Sequence, residues 1–146
     1  PIDVAALLES LQADACEAGA RVELAAGPIA PYAGRPQALK RCLSNLLENA
    51  VKYGGGAKIT ADDGLGQLVI RILDAGPGIP QEELERVFDP YYRLEPSRSR
   101  ETGGTGLGLT IARSIARSHG GDVVLRNRPE GGVAAELTLA RFPSVG

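Results

Sequence analysis

The sequence has no excess of basic charge and no long apolar run. Its 146 residues include 16 Lys and Arg against 18 Asp and Glu, a net charge of −2. Nucleic-acid binding relies on clustered cations that neutralise phosphates, so this balance argues against a nucleic-acid partner. No apolar run approaches the roughly 18 residues that a membrane span needs. We therefore expect neither membrane contact by this domain nor a signal peptide.

Cysteine and histidine are scarce. The two cysteines, Cys16 and Cys42, lie far apart in separate helical patterns, which does not suggest a disulfide framework. We expect both to be reduced and buried, packing as small hydrophobic side chains. The single histidine, His119, falls at the end of a predicted helix, before Gly120 and Gly121. A structural role at the helix end is the favoured interpretation.

Glycine, in contrast, is abundant. The 19 glycines among 146 residues are nearly twice the usual share of about 7%. They concentrate between periodic segments, at 54–56, 76–78, 103–108, 120–121 and 131–132. Clustered glycine marks turns, or places where the backbone must approach another group closely. The length fits one domain over residues 1–146, and a hydrophobic content of 43% is enough for one core.

Hydrophobic periodicity predicts helices at 3–18, 36–53, 80–88 and 107–118. Strands are predicted at 21–25, 57–61, 67–73, 122–126 and 133–139, and the last four form two hairpins. Helices separated by hairpins do not give the strict strand-helix alternation of a parallel sheet. We therefore expect an α+β fold. It would be a two-layer α/β sandwich whose mixed, mostly antiparallel sheet carries about three helices on one face.

The helix predicted at 36–53 carries polar side chains beside its apolar face. At about 100° per residue, Asn45, Asn49 and Lys52 project together as a narrow stripe at the edge of that face. Two amides and an ammonium in this position suit phosphate and hydrated Mg²⁺, which prefers oxygen ligands. The alternative is the polar side of an ordinary amphipathic helix, although Asn is a poor residue for a helix interior.

Two glycine-containing motifs follow. Asp74 ends a strand and precedes Gly76-Pro77-Gly78. There a carboxylate could accept a hydrogen bond from an exocyclic amine such as that of adenine, although a plain tight turn is the alternative. Residues 103–109 lead from a glycine-rich loop into a helix, and free amides at a helix N-terminus form an anion site. This loop lacks both the Lys-Ser or Lys-Thr of a Walker A loop and the parallel unit of a dinucleotide fingerprint.

The three motifs occur in order at spacings of about thirty residues. Together they resemble the catalytic and ATP-binding domain of bacterial sensor histidine kinases, within the GHKL ATPase superfamily. The resemblance covers nearly the whole chain and implies the GHKL, or Bergerat, ATP-binding fold. It is carried by an N box at 45–53, a G1 box at 74–79, an F box at 88–93 and a G2 box at 103–109.

The resemblance also implies roles for individual residues. Asn49 is expected to bind Mg²⁺, while Asn45 and Lys52 are expected to contact the phosphates and take part in catalysis. Adenine is expected to pack on Tyr53 and to donate a hydrogen bond from its amino group to Asp74. Further nucleotide contacts are expected at Gly76, Gly78, Ile79, Phe88, Gly104, Thr105, Gly106, Leu107 and Gly108.

The stretch 89–105 resembles the ATP lid of this family, and Phe88 would be the apolar anchor at its base. Residues 91–105 are polar, charged and glycine-containing, a composition typical of a mobile segment. Arg98 and Arg100 lie within the stretch. They could reach the γ-phosphate, or they could simply serve the solubility of the surface.

One position separates the members of the superfamily. Relatives that hydrolyse ATP, such as gyrase and the mismatch-repair ATPase, carry a Glu four residues before the metal-binding Asn, where it acts as a general base. Here that position is Asn45, and Glu48 is turned about 100° away from Asn49. The sequence therefore favours phosphoryl transfer to a histidine. A GHKL ATPase and a nucleotide-binding module without transfer activity are the alternatives.

The resemblance implies partners as well. Histidine kinases phosphorylate a histidine on a separate helical-hairpin domain, and His119 lacks both a following acidic residue and a second long helix. We expect ATP and Mg²⁺ as ligands, a phosphoacceptor domain of the same or a partner protomer, and a response regulator downstream. We expect the isolated domain to be monomeric and cytoplasmic. The full-length protein is expected to be a homodimer, anchored in the inner membrane by segments outside this chain.

Overall fold

Three α-helices and five β-strands make up the part of the chain described by the computed structural model, residues 1–64, 66–84, 86–88 and 108–141. The side chain of Tyr53 lies outside this description. The helices are α1 (Val4–Glu17), α2 (Pro36–Gly54) and α3 (Gly108–Ser118). The strands are β1 (Arg21–Ala26), β2 (Gly56–Asp63), β3 (Gln67–Leu73), β4 (Asp122–Asn127) and β5 (Val133–Ala140).

The helices begin and end where their sequences predict. Asp3 is the N-cap of α1, and its Oδ1 accepts a hydrogen bond from the Ala6 N–H at 3.0 Å. Pro36 occupies the first turn of α2, where its missing N–H costs nothing. Gly55 closes α2 in the left-handed conformation, with φ of 75°, which glycine adopts without steric cost. None of the helices in the described residues is long and apolar enough to cross a membrane.

The strands form one mixed sheet in the order β1-β2-β3-β5-β4. β1 runs parallel to β2, and the other neighbours are antiparallel. Both predicted hairpins are present, because β2 pairs with β3 and β4 pairs with β5. The predicted mixed, mostly antiparallel sheet is therefore confirmed.

The helices cover one face of the sheet. On the central strand β3, Leu68, Ile70 and Ile72 are almost completely buried in the hydrophobic core. Arg71 lies on the opposite face, where it pairs with Asp62 at 2.6 Å and with Glu136 at 3.1 Å. Alternate residues of a strand point to opposite faces, so one side of the sheet packs and the other carries charge. This is the expected two-layer α/β sandwich.

The prediction of one short helix at 80–88 is wrong. Pro80 caps a 3-10 turn at Gln81–Glu83, and a second 3-10 turn covers Arg86–Phe88. The hydrogen bond from the Glu83 N–H to the Pro80 carbonyl spans three residues, at 2.8 Å. Burial of Val87 and Phe88 fixes the second turn against the core. Tertiary packing thus overrides the helical periodicity in this short segment.

The expectation for the cysteines holds for one and is wrong for the other. Both thiols are free, and Cys42 is buried, but Cys16 is exposed. The buried face of α1 is carried by Val4, Leu8 and Leu11. Cys16 follows Leu11 by five residues and therefore points about 140° away from it. Burial raises the pKa of the Cys42 thiol to about 12.

Alkylation of the native domain with iodoacetamide at pH 8 is expected to modify Cys16 and to spare Cys42. The reactive species is the thiolate, which a buried thiol with a pKa of about 12 scarcely forms at this pH. Mass spectrometry would count the adducts, with the denatured chain as reference for both thiols. A Cys16→Ser variant should remain unlabelled until it is unfolded. Rapid labelling of this variant in its native state would show that Cys42 is accessible.

Candidate functional site

The polar stripe of α2 lies beside the core, as its spacing predicts. Asn45, Asn49 and Lys52 are each partly buried. Their immediate neighbours Leu46 and Ala50 are buried and hold the helix against the core. Side chains spaced four and three residues apart share one side of a helix. The three polar groups are therefore presented together at the rim of the packed layer.

Asn45 joins this stripe to the start of α3. Its Nδ2 donates a hydrogen bond to the carbonyl oxygen of Gly108 at 3.2 Å. Gly108 is the first residue of α3, and a Cβ on it would lie 3.9 Å from Cβ and Cγ of Asn45. The first backbone N–H groups of a helix have no partner within the helix and attract anions. The polar stripe of α2 and the N-terminus of α3 are therefore in contact through Asn45.

Asp74 lies at the other side of the candidate site, just after β3. It is 9% exposed, and its Oδ1 accepts hydrogen bonds from the N–H groups of Gly76 and Val133, each at 3.0 Å. Oδ2 accepts none from any described residue. Every fully buried side-chain N or O in the described chain has a partner, so Oδ2 keeps some access to solvent. The carboxylate is fixed through one oxygen and offers the other.

Gly54 brings the end of α2 against Asp74. A Cβ at Gly54 would lie 2.4 Å from the Asp74 Cβ and 2.6 Å from its Cγ, closer than packed atoms can approach. Gly132 is equally close from the β4–β5 turn, where a Cβ would lie 2.1 Å from the Asp74 carbonyl oxygen. The absence of side chains at these two positions lets α2 and the turn approach Asp74 from different directions.

The loop after Asp74 is held by residues for which the sequence gives no signal. Ile79 donates its N–H to Asn127 Oδ1 at 2.9 Å and accepts a hydrogen bond from Asn127 Nδ2 at 2.6 Å. Arg128 donates from its guanidinium to the Asp74 carbonyl at 2.6 Å. Asn127 and Arg128 come about fifty residues after the loop, and no local pattern marks that distance. Their contact with the loop follows from the position of β4 in the sheet.

Phe88 is buried beside α3, as expected of an apolar anchor. Its carbonyl accepts a hydrogen bond from the Thr110 hydroxyl, and the Arg113 guanidinium lies 3.9 Å from the centre of its ring. Arg113 also pairs with Asp122 at 2.9 Å. Burial alone would raise the pKa of Asp122, but hydrogen bonds from Arg113 and Arg117 lower it below its usual value. Phe88 is thus fixed close to the beginning of α3.

A cleft of about 350 Å³ adjoins the loop after Asp74. Its lining includes Gly78 and Ile79, two of the predicted nucleotide contacts, but neither Asp74 nor the α2 stripe contributes to it. Its wall is formed by the loop and the β4–β5 turn, at Pro77, Gly78, Ile79, Pro80, Asn127, Arg128, Gly131 and Gly132. The cleft therefore lies between the loop and the β4–β5 turn rather than between Asp74 and the polar stripe of α2.

His119 is placed as a structural residue. It is 7% exposed, and its Nε2 accepts a hydrogen bond from the Arg35 N–H at 3.2 Å. Its Nδ1 lies 2.8 Å from the Ile115 carbonyl, to which a neutral ring with the proton on Nδ1 donates. With both ring nitrogens engaged, the imidazole has no lone pair available to accept a phosphoryl group.

The elements that carry these residues lie within 34–143, which match the family described as histidine kinase-, DNA gyrase B-, and HSP90-like ATPase. The chain belongs to this family. Two of its relatives, described in the next paragraph, are sensor histidine kinases, and the chain is an ATP-binding catalytic domain of that type. The family expected from the four sequence boxes is therefore confirmed.

Relatives and solved structures agree with this assignment. The domain is 46% identical over 141 residues to the sensor histidine kinase GtrS of Pseudomonas aeruginosa, covering 97% of this chain and 29% of that protein. It is 39% identical to the signal transduction histidine-protein kinase AfsQ2 of Streptomyces coelicolor, covering 98% and 25%. The ATP binding domain of PrrB from Mycobacterium tuberculosis superposes with a TM-score of 0.75 at 28% identity, covering 97% and 96%. The chain thus spans less than a third of the two full-length relatives.

Several predicted site residues of this kinase-family domain lie outside the described residues. They are the lid stretch 89–105 with Arg98 and Arg100, the loop residues Gly104, Thr105, Gly106 and Leu107, and the side chain of Tyr53. Their roles stay predictions. In the described ranges, no group of three or more His, Cys, Asp or Glu side chains could hold a metal ion.

Proposed function

We propose that this domain binds ATP with Mg²⁺ and transfers the γ-phosphate to a histidine on a separate helical-hairpin domain. The observation that carries the proposal is the state of Asp74, a largely buried carboxylate with one oxygen fixed by two backbone N–H groups and the other left accessible. A fixed acceptor of this kind suits the exocyclic amine of adenine. Other features of the site support proposals for the remaining parts of the nucleotide.

The base would lie between the Asp74 loop and the end of α2. Ile79 is partly buried against the core and offers an apolar surface to one face of a purine. Gly76 and Gly78 add no side chains that would obstruct the ring. Tyr53, in the last turn of α2, would pack on the base. A site built to hydrogen-bond a polar group of its substrate strongly rejects analogues that lack this group. The carboxylate of Asp74 would therefore select adenine by its amino group.

The phosphates would lie between the α2 stripe and the start of α3. Lys52 supplies a positive charge in the last turn of α2. Asn45 supplies an amide that already contacts Gly108, the first residue of α3, and N–H groups at a helix N-terminus attract anions. Phosphoryl transfer is catalysed mainly by positioning and by stabilising charge on the transferred group. Lys52, Asn45 and the N-terminus of α3 would contribute to both the positioning and the stabilisation of charge.

The donor set also fits Mg²⁺. Asn49 offers a neutral amide oxygen beside the phosphate-binding groups, and Mg²⁺ commonly combines a few protein oxygens with phosphate oxygens and waters. When bound, the ion would neutralise charge on the phosphate oxygens. The chain's own part is to place the Asn49 oxygen and the cationic Lys52 on one side of α2. We infer that Asn49 is the protein ligand.

Transfer to histidine rather than to water follows from Asn45. A neutral amide cannot remove a proton from water, and this one donates a hydrogen bond to the Gly108 carbonyl. Glu48 is exposed and turned about 100° from Asn49. An imidazole needs no such base, because its nitrogen lone pair attacks phosphorus while the bond to the β-phosphate oxygen breaks and ADP leaves. His119 has no lone pair free for this reaction, so the acceptor belongs to another domain.

The domain alone is expected to bind ATP·Mg²⁺ and to incorporate no phosphate. Addition of the cognate hairpin, carrying its histidine, should produce acid-labile phosphohistidine on the hairpin. Isothermal titration calorimetry and labelling with γ-³²P-ATP would measure these two results. A hairpin whose histidine is replaced by alanine is the control.

Stable phosphate incorporation into the isolated domain would contradict the assignment of the acceptor. Steady release of inorganic phosphate by the domain alone would instead favour an ATPase. Binding of ATP without transfer to the hairpin would favour a nucleotide-binding module. We infer that the hairpin and a homodimeric arrangement belong to the complete signalling protein, and that a response regulator is its downstream partner. We infer that the domain lies in the cytoplasm, where ATP is supplied.

A further inference from the structure

The loop that would hold the base has little backbone bonding of its own. Among the described residues, the hydrogen bonds that reach Ala75–Ile79 are the one from the Gly76 N–H to Asp74 and the pair between Ile79 and Asn127. The backbone-to-backbone bonds of the described chain bypass this stretch. Two glycines in it add conformational freedom. The far end of the loop therefore depends on the side chain of Asn127.

The side-chain amide of Asn127 bonds to both backbone groups of Ile79, as the backbone of a neighbouring strand would. The amide accepts from the Ile79 N–H at 2.9 Å and donates to the Ile79 carbonyl at 2.6 Å. The fit is close, because a Cβ on Gly78 would lie 2.9 Å from Asn127 Oδ1. Gly78 itself has φ of 84°, a conformation that other residues rarely adopt. Asn127 and Gly78 thus define one backbone conformation for the loop.

We propose that Asn127 is a positioning residue for the purine base, acting through the backbone of Ile79. The inference rests on the proposed function, since it assumes that Ile79 packs on adenine. A loop held in its binding conformation loses less conformational entropy when the ligand arrives. Without the amide, Ile79 would occupy this position for only part of the time, and the apparent affinity would fall by that fraction. Arg128 has a related effect on the Asp74 carbonyl.

Asn127→Ala is expected to raise the dissociation constants of ATP and ADP by the same factor, about tenfold, which corresponds to about 1.4 kcal/mol. The factors should match because the two nucleotides share the base and differ only in the γ-phosphate. The melting temperature without nucleotide should change by no more than about 2 °C, because Asn127 is exposed. Calorimetric titration and thermal melting would measure both. Arg126→Ala, at the exposed neighbouring position, is the matched control and should bind as the parent does.

Asn127→Asp is a second test that keeps the side-chain shape. Its carboxylate can still accept from the Ile79 N–H but cannot donate to the Ile79 carbonyl, so weaker binding of both nucleotides is expected here too. Affinities within twofold of the parent for both variants would overturn the proposal, as would a loss confined to ATP. If the alanine variant does not fold, the aspartate variant decides. A parent domain that binds no nucleotide would instead overturn the proposed function, and this inference with it.

Discussion

Asp74→Asn is expected to weaken ATP binding by about 100-fold, or about 2.7 kcal/mol, while the domain stays folded. The amide keeps an oxygen for the Gly76 and Val133 N–H groups that Oδ1 serves in the parent. The second oxygen becomes an NH₂ group, which would face the amino group of adenine with donor against donor. The loss should therefore fall on the nucleotide and not on the loop.

Calorimetry would measure the affinity, and thermal melting would verify the fold of the Asp74 variant. Asp62→Asn makes the same change of charge on the outer face of the sheet, where Asp62 pairs with Arg71. This control should bind ATP as the parent does. A folded Asp74→Asn variant with unaltered affinity would show that the base does not contact this carboxylate, and the proposed site would then be wrong.

Local periodicity was sufficient for the α2 side of the site. The alternation of apolar and polar residues at helical spacing placed Asn45, Asn49 and Lys52 on one stripe, and the structure leaves all three partly buried. The cap at Asp3 and the hairpin turn after Asp63 are likewise short-range signals. In each case the interacting groups lie within a few residues of one another in the chain, so the local sequence pattern is sufficient to predict the structure.

The contacts that complete the site are long-range and escaped prediction. Asn127 meets Ile79 across 48 residues, and β5 enters the sheet between β3 and β4. Neither is encoded in a local pattern, because both follow from the order of strands. Cys16 shows a related error at short range. It was assigned to the buried set although its position on α1 turns it away from the stripe of Leu8 and Leu11.

Gly54 has both a local role at the end of α2 and a long-range contact with Asp74. The glycine cluster at 54–56 follows the helix predicted at 36–53, and α2 does end there, with Gly54 as its last residue and Gly55 as the left-handed cap. A glycine signal for the end of a helix does not distinguish Gly54 from Gly55. The structure distinguishes them, because Gly54 lies against Asp74 whereas Gly55 has open space around it. The requirement for glycine at 54 comes from the side chain of Asp74, twenty residues later in the chain.

Gly54→Ala is therefore expected to destabilise the domain by about 2 kcal/mol and to weaken ATP binding at least about tenfold. In an ordinary helix the same change would stabilise by about 1 kcal/mol, so the sign itself is informative. The new methyl group would lie 2.4 Å from the Asp74 Cβ and would have to push this side chain from its place. Gly27→Ala, with nothing within 4 Å, should change stability by less than about 0.5 kcal/mol. Denaturant unfolding and nucleotide titration of both variants would decide, and a stabilised Gly54→Ala variant with normal affinity would refute the contact between α2 and Asp74.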